Sequence, residues 1–309
     1  MGEASLTLQD WHTALTACSP RSRPCVDVPP FQLTRLRENA TSSDALLTRI
    51  EREKETWENG IVQRVFPYLP AVSDTMDLTI YLVGGTRSAG FVVDVEGTFR
   101  MAIDVGLVAG IESEKTREQF EATADHELWH LGFMTHVRNT WKNARPDLSN
   151  DAFERLAFKM VNEGFGYFMS FKRLKGSDSK VDDTLRSRFS AGETRSSLES
   201  SLKEGVAKIL AAPRAKASLE LVDASDVADS TFDRWSAMAG AIAISTVIRE
   251  KGLTAVLESI RIDPYALWSL YESCERQYLV FPREFFEEAK RRRFPEPGVV
   301  PVEWTQNPG

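Results

Sequence analysis

EATADHELWHLGFMTH, residues 121–136, holds three of the chain's four histidines, two of them inside the pentapeptide HELWH. On an α-helix a residue advances about 100° and rises about 1.5 Å, so His126 and His130 stand roughly 40° and one turn apart. Both imidazoles then reach one tetrahedral cation. Glu127 flanks the same face, and its carboxylate can take a proton from an attacking water without itself being a ligand. The pattern predicts a Zn²⁺ site with its own base, on a helix running from about Ser113 to Asn139 with Ser113 and Thr116 as candidate caps. The plainer alternative is an amphipathic helix with two histidines on its polar side.

The surrounding chain is built like an ordinary globular protein, with 309 residues, 42% hydrophobic and 27% charged, enough to bury a sizeable core. Its net charge of −7 and the lack of a long basic run speak against nucleic-acid binding, and the triplet Arg291 to Arg293 reads as a solvated helix end. The longest near-apolar stretch, Met238 to Ile248, is too short for a membrane span. The first residues lack a basic segment followed by an apolar one, so no signal peptide is expected and a cytoplasmic location is slightly favoured. Cys18, Cys25 and Cys274 form no CxxC; Cys18 and Cys25 pair only if the protein is exported. His12 is expected at or near the surface. No P-loop, GxGxxG or GxSxG gives nucleotide binding or serine hydrolysis a foothold.

Three parts are expected: 1–70 as an N-terminal helical segment, 71–173 as a core with sheet, HELWH helix and a second helix, and 174–309 as a polar loop followed by helices. In the first part Thr7 to Ala17 is a short amphipathic segment and Ser43 to Val65 a helix burying Leu46, Leu47, Ile50, Trp57, Ile61 and Val65. Three β-branched or aromatic runs follow from Leu78, Gly90 and Phe99, the last two joined at a hairpin tip at Glu96-Gly97. They predict a small, at least partly antiparallel sheet. After Pro146, Ser149-Asn150-Asp151 starts a fresh helix running to about Lys172. Leu174 to about Ser200 is polar and serine-rich and reads as a long surface loop or flap. Beyond it helices are expected near 197–212, 230–251, 253–260, 264–275 and 282–292, with Ser230 and Asp233 as a weak capping box. WSAMAGAIAIS is small enough in its side chains to be a central packing helix. The proline-rich end from Phe294 should lie extended.

A catalytic zinc needs a third protein ligand and an open position. His136 lies six residues after His130, as in HExxHxxGxxH, but the glycine that pattern needs three residues past the second histidine is Phe133 here. If the helix continues, His136 points about 120° away. Glu163, near the middle of the following helix, is the other candidate. Gly164 and Gly166 beside it are unusual in a helix interior, where each costs up to about 1 kcal/mol, and close packing against a neighbouring helix explains them.

HELWH, then EGFGYF some thirty residues later, the helix WSAMAGAIAISTVIREKG and the segment LTAVLESIRIDPYALWSLY resemble the gluzincin-type zincins, in particular a family of zinc-dependent peptidases known mainly from bacterial genomes. The likeness covers about residues 75–275, and its specific part is HExxH with the downstream Glu-Gly. It implies an α+β, mostly helical zincin fold, with a small sheet whose edge strand binds extended peptide. That edge is expected in FRMAIDVGL, with Asp104 structural. It further implies that His126, His130 and Glu163 hold Zn²⁺, that Glu127 is the base, and that the partner is a peptide or protein substrate. The chain departs from better known gluzincins in lacking NExxD and GAMEN-like motifs. Tyr167, one turn after Glu163, and Tyr265 and Tyr271 further on are candidate donors to the oxyanion. Asp125, 100° off the histidine face, is expected to be a solvated helix acid. Two other readings remain open from sequence, a zinc-bound scaffold with little turnover and a helical binding protein whose HExxH is accidental. Oligomeric state is not legible.

Overall fold

The structure, a computed structural model, describes residues 38–70, 78–84, 86, 88–95, 97–109, 115–140, 150–188, 192–225, 234–263 and 265–293. The expectations for Thr7 to Ala17, His12, Cys18, Cys25, Glu96, Ser113, Ser230, Asp233 and the proline-rich end therefore fall outside the described residues.

Among the described residues two helices come first, α1 (Ala40–Arg52) and α2 (Lys54–Val65), where one was expected. They part at Glu53, whose carboxylate accepts from the Trp57 indole at 3.0 Å and from the Arg49 side chain at 3.3 Å. Leu46, Trp57, Ile61 and Val65 are buried, and Leu47 and Ile50 pack against the core. After a 3-10 turn (Phe66–Tyr68) come β1 (Ile80–Val83), β2 (Gly90–Val95) and β3 (Thr98–Asp104). The sheet order is β1-β3-β2. β1 pairs with β3 in parallel, Ile80 opposite Met101, and β2 pairs with β3 antiparallel, Val95 opposite Thr98, across a turn where Gly97 takes φ 78°. β3 is thus the central strand, paired on both sides, which corrects its expected place at the edge. Its burial explains the position: Met101 to Asp104 are all buried, as a strand covered on both faces requires.

β3 also ends earlier than its apolar run suggests. The chain turns at Val105 into α3 (Val105–Ala109), because the Asp104 carboxylate accepts from the Leu107 amide at 2.9 Å and from the Thr86 amide and hydroxyl. Asp104 is structural, a tie between strand end, preceding loop and helix start.

The long helices α4 (Thr116–Thr140) and α5 (Ala152–Lys175) then lie side by side. Asp151 caps α5, accepting from the Phe153 and Glu154 amides at 3.0 and 3.1 Å, and Gly176 closes it at φ 85°. The stretch expected as a polar loop is mostly helical: α6 (Asp178–Arg188) and α7 (Gly192–Ala211) occupy it. Polar composition concealed the narrow stripe of α6, Val181 and Leu185, and the start of α7, whose buried Leu198, Leu202, Val206 and Ile209 lie in the helix expected near 197–212. The short α8 (Lys216–Ala224) was not foreseen. α9 (Trp235–Lys251), α10 (Leu253–Ile262), α11 (Ala266–Glu272) and α12 (Arg283–Arg291) complete the described residues. α9 is buried almost all round and packs against α5 so closely that a Cβ on Gly240 would lie within 2 Å of the Met160 carbonyl oxygen. One continuous apolar core runs from Leu46 to Ala289. The fold is mostly helical α+β, and no described helix is long and apolar enough to cross a membrane.

Candidate metal centre

His126, Glu127 and His130 sit in the middle of α4, where helix, sheet and α5 meet. Burial is nearly complete here: residues from Phe120 to Phe133 are buried with only His126 partly exposed. A carboxylate in such a place needs a charged partner or pushes its proton affinity up.

Glu163 supplies the other half. It comes from the α5 face that meets α4, and its Oε2 lies 3.7 Å from His126 Nε2 and 3.4 Å from His130 Nε2. In a tetrahedral zinc site with bonds of about 2.0–2.2 Å, ligand atoms stand roughly 3.3–3.6 Å apart. The Glu163 oxygen stands at or within about 0.1 Å of that spacing from both imidazoles. Glu127 is close as well, since a ligand atom from each of His126, Glu127 and His130 lies within 4.8 Å of the others. Two carboxylates therefore converge on one histidine pair, and Oε2 of Glu127 is buried without a hydrogen-bond partner among the described residues. Such an orphaned atom, beside a ready donor set, fits a divalent ion and a water better than an empty core.

The electrostatics agree. Burial disfavours a charged His130, yet the charge and hydrogen bond of Glu163 outweigh it and raise its pKa to about 9. Burial likewise opposes the Glu163 charge, but the two imidazoles hold it well below the usual carboxylate range. Burial pushes Glu127 up, against the pull of the two histidines. This corner is short of positive charge, and a divalent cation would supply two units of it.

The ring orientations are fixed from behind. Asn162 accepts from His130 Nδ1 at 2.9 Å, which leaves Nε2 as the ring nitrogen that faces Glu163. Its backbone carbonyl accepts from the Trp129 indole at 2.9 Å, and Trp129 stacks on Phe165 at 3.9 Å, locking α4 to α5 beside the site. Ser170 donates to the Ala122 carbonyl at 3.0 Å and lies 3.4 Å from His126 Nδ1. Glycine makes the approach possible: a Cβ on Gly166 would stand 2.8 Å from Nε2 and Cε1 of His126, and one on Gly90 would stand 2.5 Å from the Glu127 Cγ. Gly164 has a different task, facing Gly240 of α9 rather than α4. Asn162, Ser170 and Gly90 went unread in the sequence. Asn162 had a signal in its adjacency to Glu163, but neighbours on a helix diverge by 100° and only the structure shows one behind and one in front of His130.

The remaining candidates separate. His136 is buried away from the cluster, with Nε2 3.2 Å from the Arg261 carbonyl and Nδ1 3.4 Å from the Thr140 hydroxyl. Tyr271 donates to the Leu279 carbonyl at 2.6 Å in an aromatic core with Phe281 and Phe286, and Tyr265 stacks on Phe153 near the start of α5. Tyr167 stays at the site, edge-on to His126 with ring centroids 5.0 Å apart. Asp125 is no solvated acid. It is 1% exposed and receives Nε and Nη2 of Arg64, each at 2.9 Å, because its direction off the histidine face points into the α2 packing surface.

Fold and site together define a helical α+β protein with a paired-histidine and carboxylate centre between two antiparallel-connected elements of its core. The chain belongs to the family described as "Putative zinc dependent peptidase (DUF5700)", which matches residues 21–272. Zinc is accordingly its cofactor, and the family description points to a peptidase. No curated protein and no solved structure matches it.

Proposed function

We propose that the protein is a gluzincin-type peptidase in which His126, His130 and Glu163 hold zinc and Glu127 is the general base. The observation that carries this reading is the position of one Glu163 oxygen, 3.4 and 3.7 Å from the two histidine Nε2 atoms. Glu163 suits the ligand role because its charge is already favoured by both imidazoles, whereas Glu127 is kept proton-avid by burial. Zinc, when bound, supplies Lewis acidity toward water and toward a carbonyl oxygen.

The chain's own residues do the rest. Glu127 takes a proton from the attacking water with its partnerless oxygen and returns it to the leaving amine. Asn162 holds His130 in the tautomer that leaves Nε2 free, and Ser170 and Tyr167 brace His126. The site is reachable from solvent, the Glu163 side chain being 23% exposed. With β3 internal, the substrate backbone is placed along β2, the edge strand whose first residue, Gly90, abuts Glu127.

The test combines metal analysis with peptide cleavage. Freshly purified protein should carry about one zinc per chain and cut members of a peptide library. Glu127→Gln should keep the zinc and lose roughly 100- to 10,000-fold in kcat. Unchanged turnover in that variant would remove Glu127 from the chemistry, and absence of zinc from active protein would remove the whole scheme.

A further inference from the structure

Resting on that reading, we propose that Arg234 is an anchor for a carboxylate of the peptide substrate, lying within one or two residues of the bond to be cut. Its guanidinium stands over the Tyr167 ring, 5.6 Å from the centroid, and Tyr167 meets His126 edge-on at 5.0 Å. These two steps put the guanidinium carbon at most about 11 Å from the His126 ring. One extended residue spans roughly 3.3–3.6 Å, so a carboxylate one or two residues from a carbonyl at the histidine pair reaches it.

Three features make Arg234 a recognition group rather than a structural one. Among the described residues it has no carboxylate partner and no side-chain capping bond to α9, at whose start it sits. The other arginines around α4 are engaged: Arg64 with Asp125 and Glu121, Arg117 with Glu53 and Glu121, and Arg173 with Glu121. Arg234 is moreover half-buried against an aromatic face, which orients a guanidinium without consuming its hydrogen-bond donors. The charge balance points the same way. A divalent ion would balance Glu127 and Glu163, and among the described residues Arg234 then adds a positive charge beside Tyr167 that favours an anionic substrate. The carboxylate is either the chain end of the substrate or an Asp or Glu side chain in it.

The experiment measures binding, with turnover blocked. Full-length Glu127→Gln protein loaded with zinc is titrated with a set of short peptides, each in free-acid and C-terminally amidated form and with Asp or Asn at each internal position, and the zinc-loaded wild type is assayed for cleavage of the same set. The expected result is that one carboxylate of the set, terminal or internal, tightens binding roughly 10- to 100-fold, that Arg234→Gln in the same background removes this preference, and that Arg234→Lys keeps part of it. Equal binding of the acid and neutral forms overturns the proposal. So does a preference that survives Arg234→Gln. A drop in affinity shared by acid and neutral peptides would assign Arg234 to general positioning and overturn it too. Failure of the peptidase reading shows separately, as peptides bound by the Glu127→Gln protein but left intact by the zinc-loaded wild type.

Discussion

Helix α4 carries buried acids on two sides, and the protein treats them in opposite ways. In the first turns of the helix, Glu121 and Asp125 face Arg64 of α2, Arg117 of α4 itself and Arg173 of α5, with Arg173 Nη2 2.5 Å from Glu121 and Arg64 bound to both oxygens of Asp125. That side is complete in charge. Between α4 and α5, Glu127 and Glu163 face two imidazoles, and one carboxylate oxygen has no partner among the described residues. Both pairs are largely shielded from water, Glu163 the least, so both need compensation. The first obtains it from arginines within the fold, while the second is arranged for a cation that comes from outside. The difference teaches which acids hold the structure and which are held ready by it.

The contrast breaks most readily at the proposed third ligand. Glu163→Ala should lower zinc affinity by more than about 100-fold, beyond the loss typical of an outer partner, and competition with a chelating dye measures it. His136→Ala should leave that affinity unchanged, and the reverse ranking would move the site along α4. Removal of zinc from the wild type by a chelator should cost about 3–4 kcal/mol of unfolding free energy when the free metal had been at 100 to 1,000 times its Kd. Glu163→Ala should show far less response to the same chelator in a thermal melt.

The arginine side gives the opposite signature. Arg64→Ala leaves Asp125 buried and unpaired; since the Arg64 side chain is 32% exposed, the loss should be about 2–3 kcal/mol in urea denaturation, below that of a fully buried pair. Its zinc stoichiometry should stay at that of the wild type, and loss of metal would show that the two sides are not separable. Asn162→Ala sharpens the comparison from the site side, with zinc affinity lower by roughly 10- to 100-fold as His130 loses the partner that sets its tautomer. His136→Ala should cost least, about 1 kcal/mol for a lost hydrogen bond to the Arg261 carbonyl.

HELWH, the break before Asp151 and the glycines beside Glu163 were legible because each is a local pattern: a helical spacing, a cap, a residue out of place in its element. The strands were legible for the same reason, although their order was not. FRMAIDVGL reads equally well as an edge or a centre, and only pairing with both β1 and β2 decides it. The stretch from Leu174 misled because its apolar residues are sparse, and their value lies in the surfaces of α5 and α9 that they meet. Asp125 misled because exposure depends on what packs opposite, and no spacing reveals that Arg64, sixty-one residues earlier, comes to meet it.

By itself the amino-acid order determined the helix that carries the paired imidazoles, the acid next to them, and the acid on the following helix, since these follow from periodicity along one chain. The tertiary structure alone decided that Glu163 reaches both imidazoles, that Asn162 stands behind one of them, and that Arg234 lies beyond Tyr167. Those are distances between elements, set by how Gly166 and Gly240 let helices approach and by which buried charges found partners.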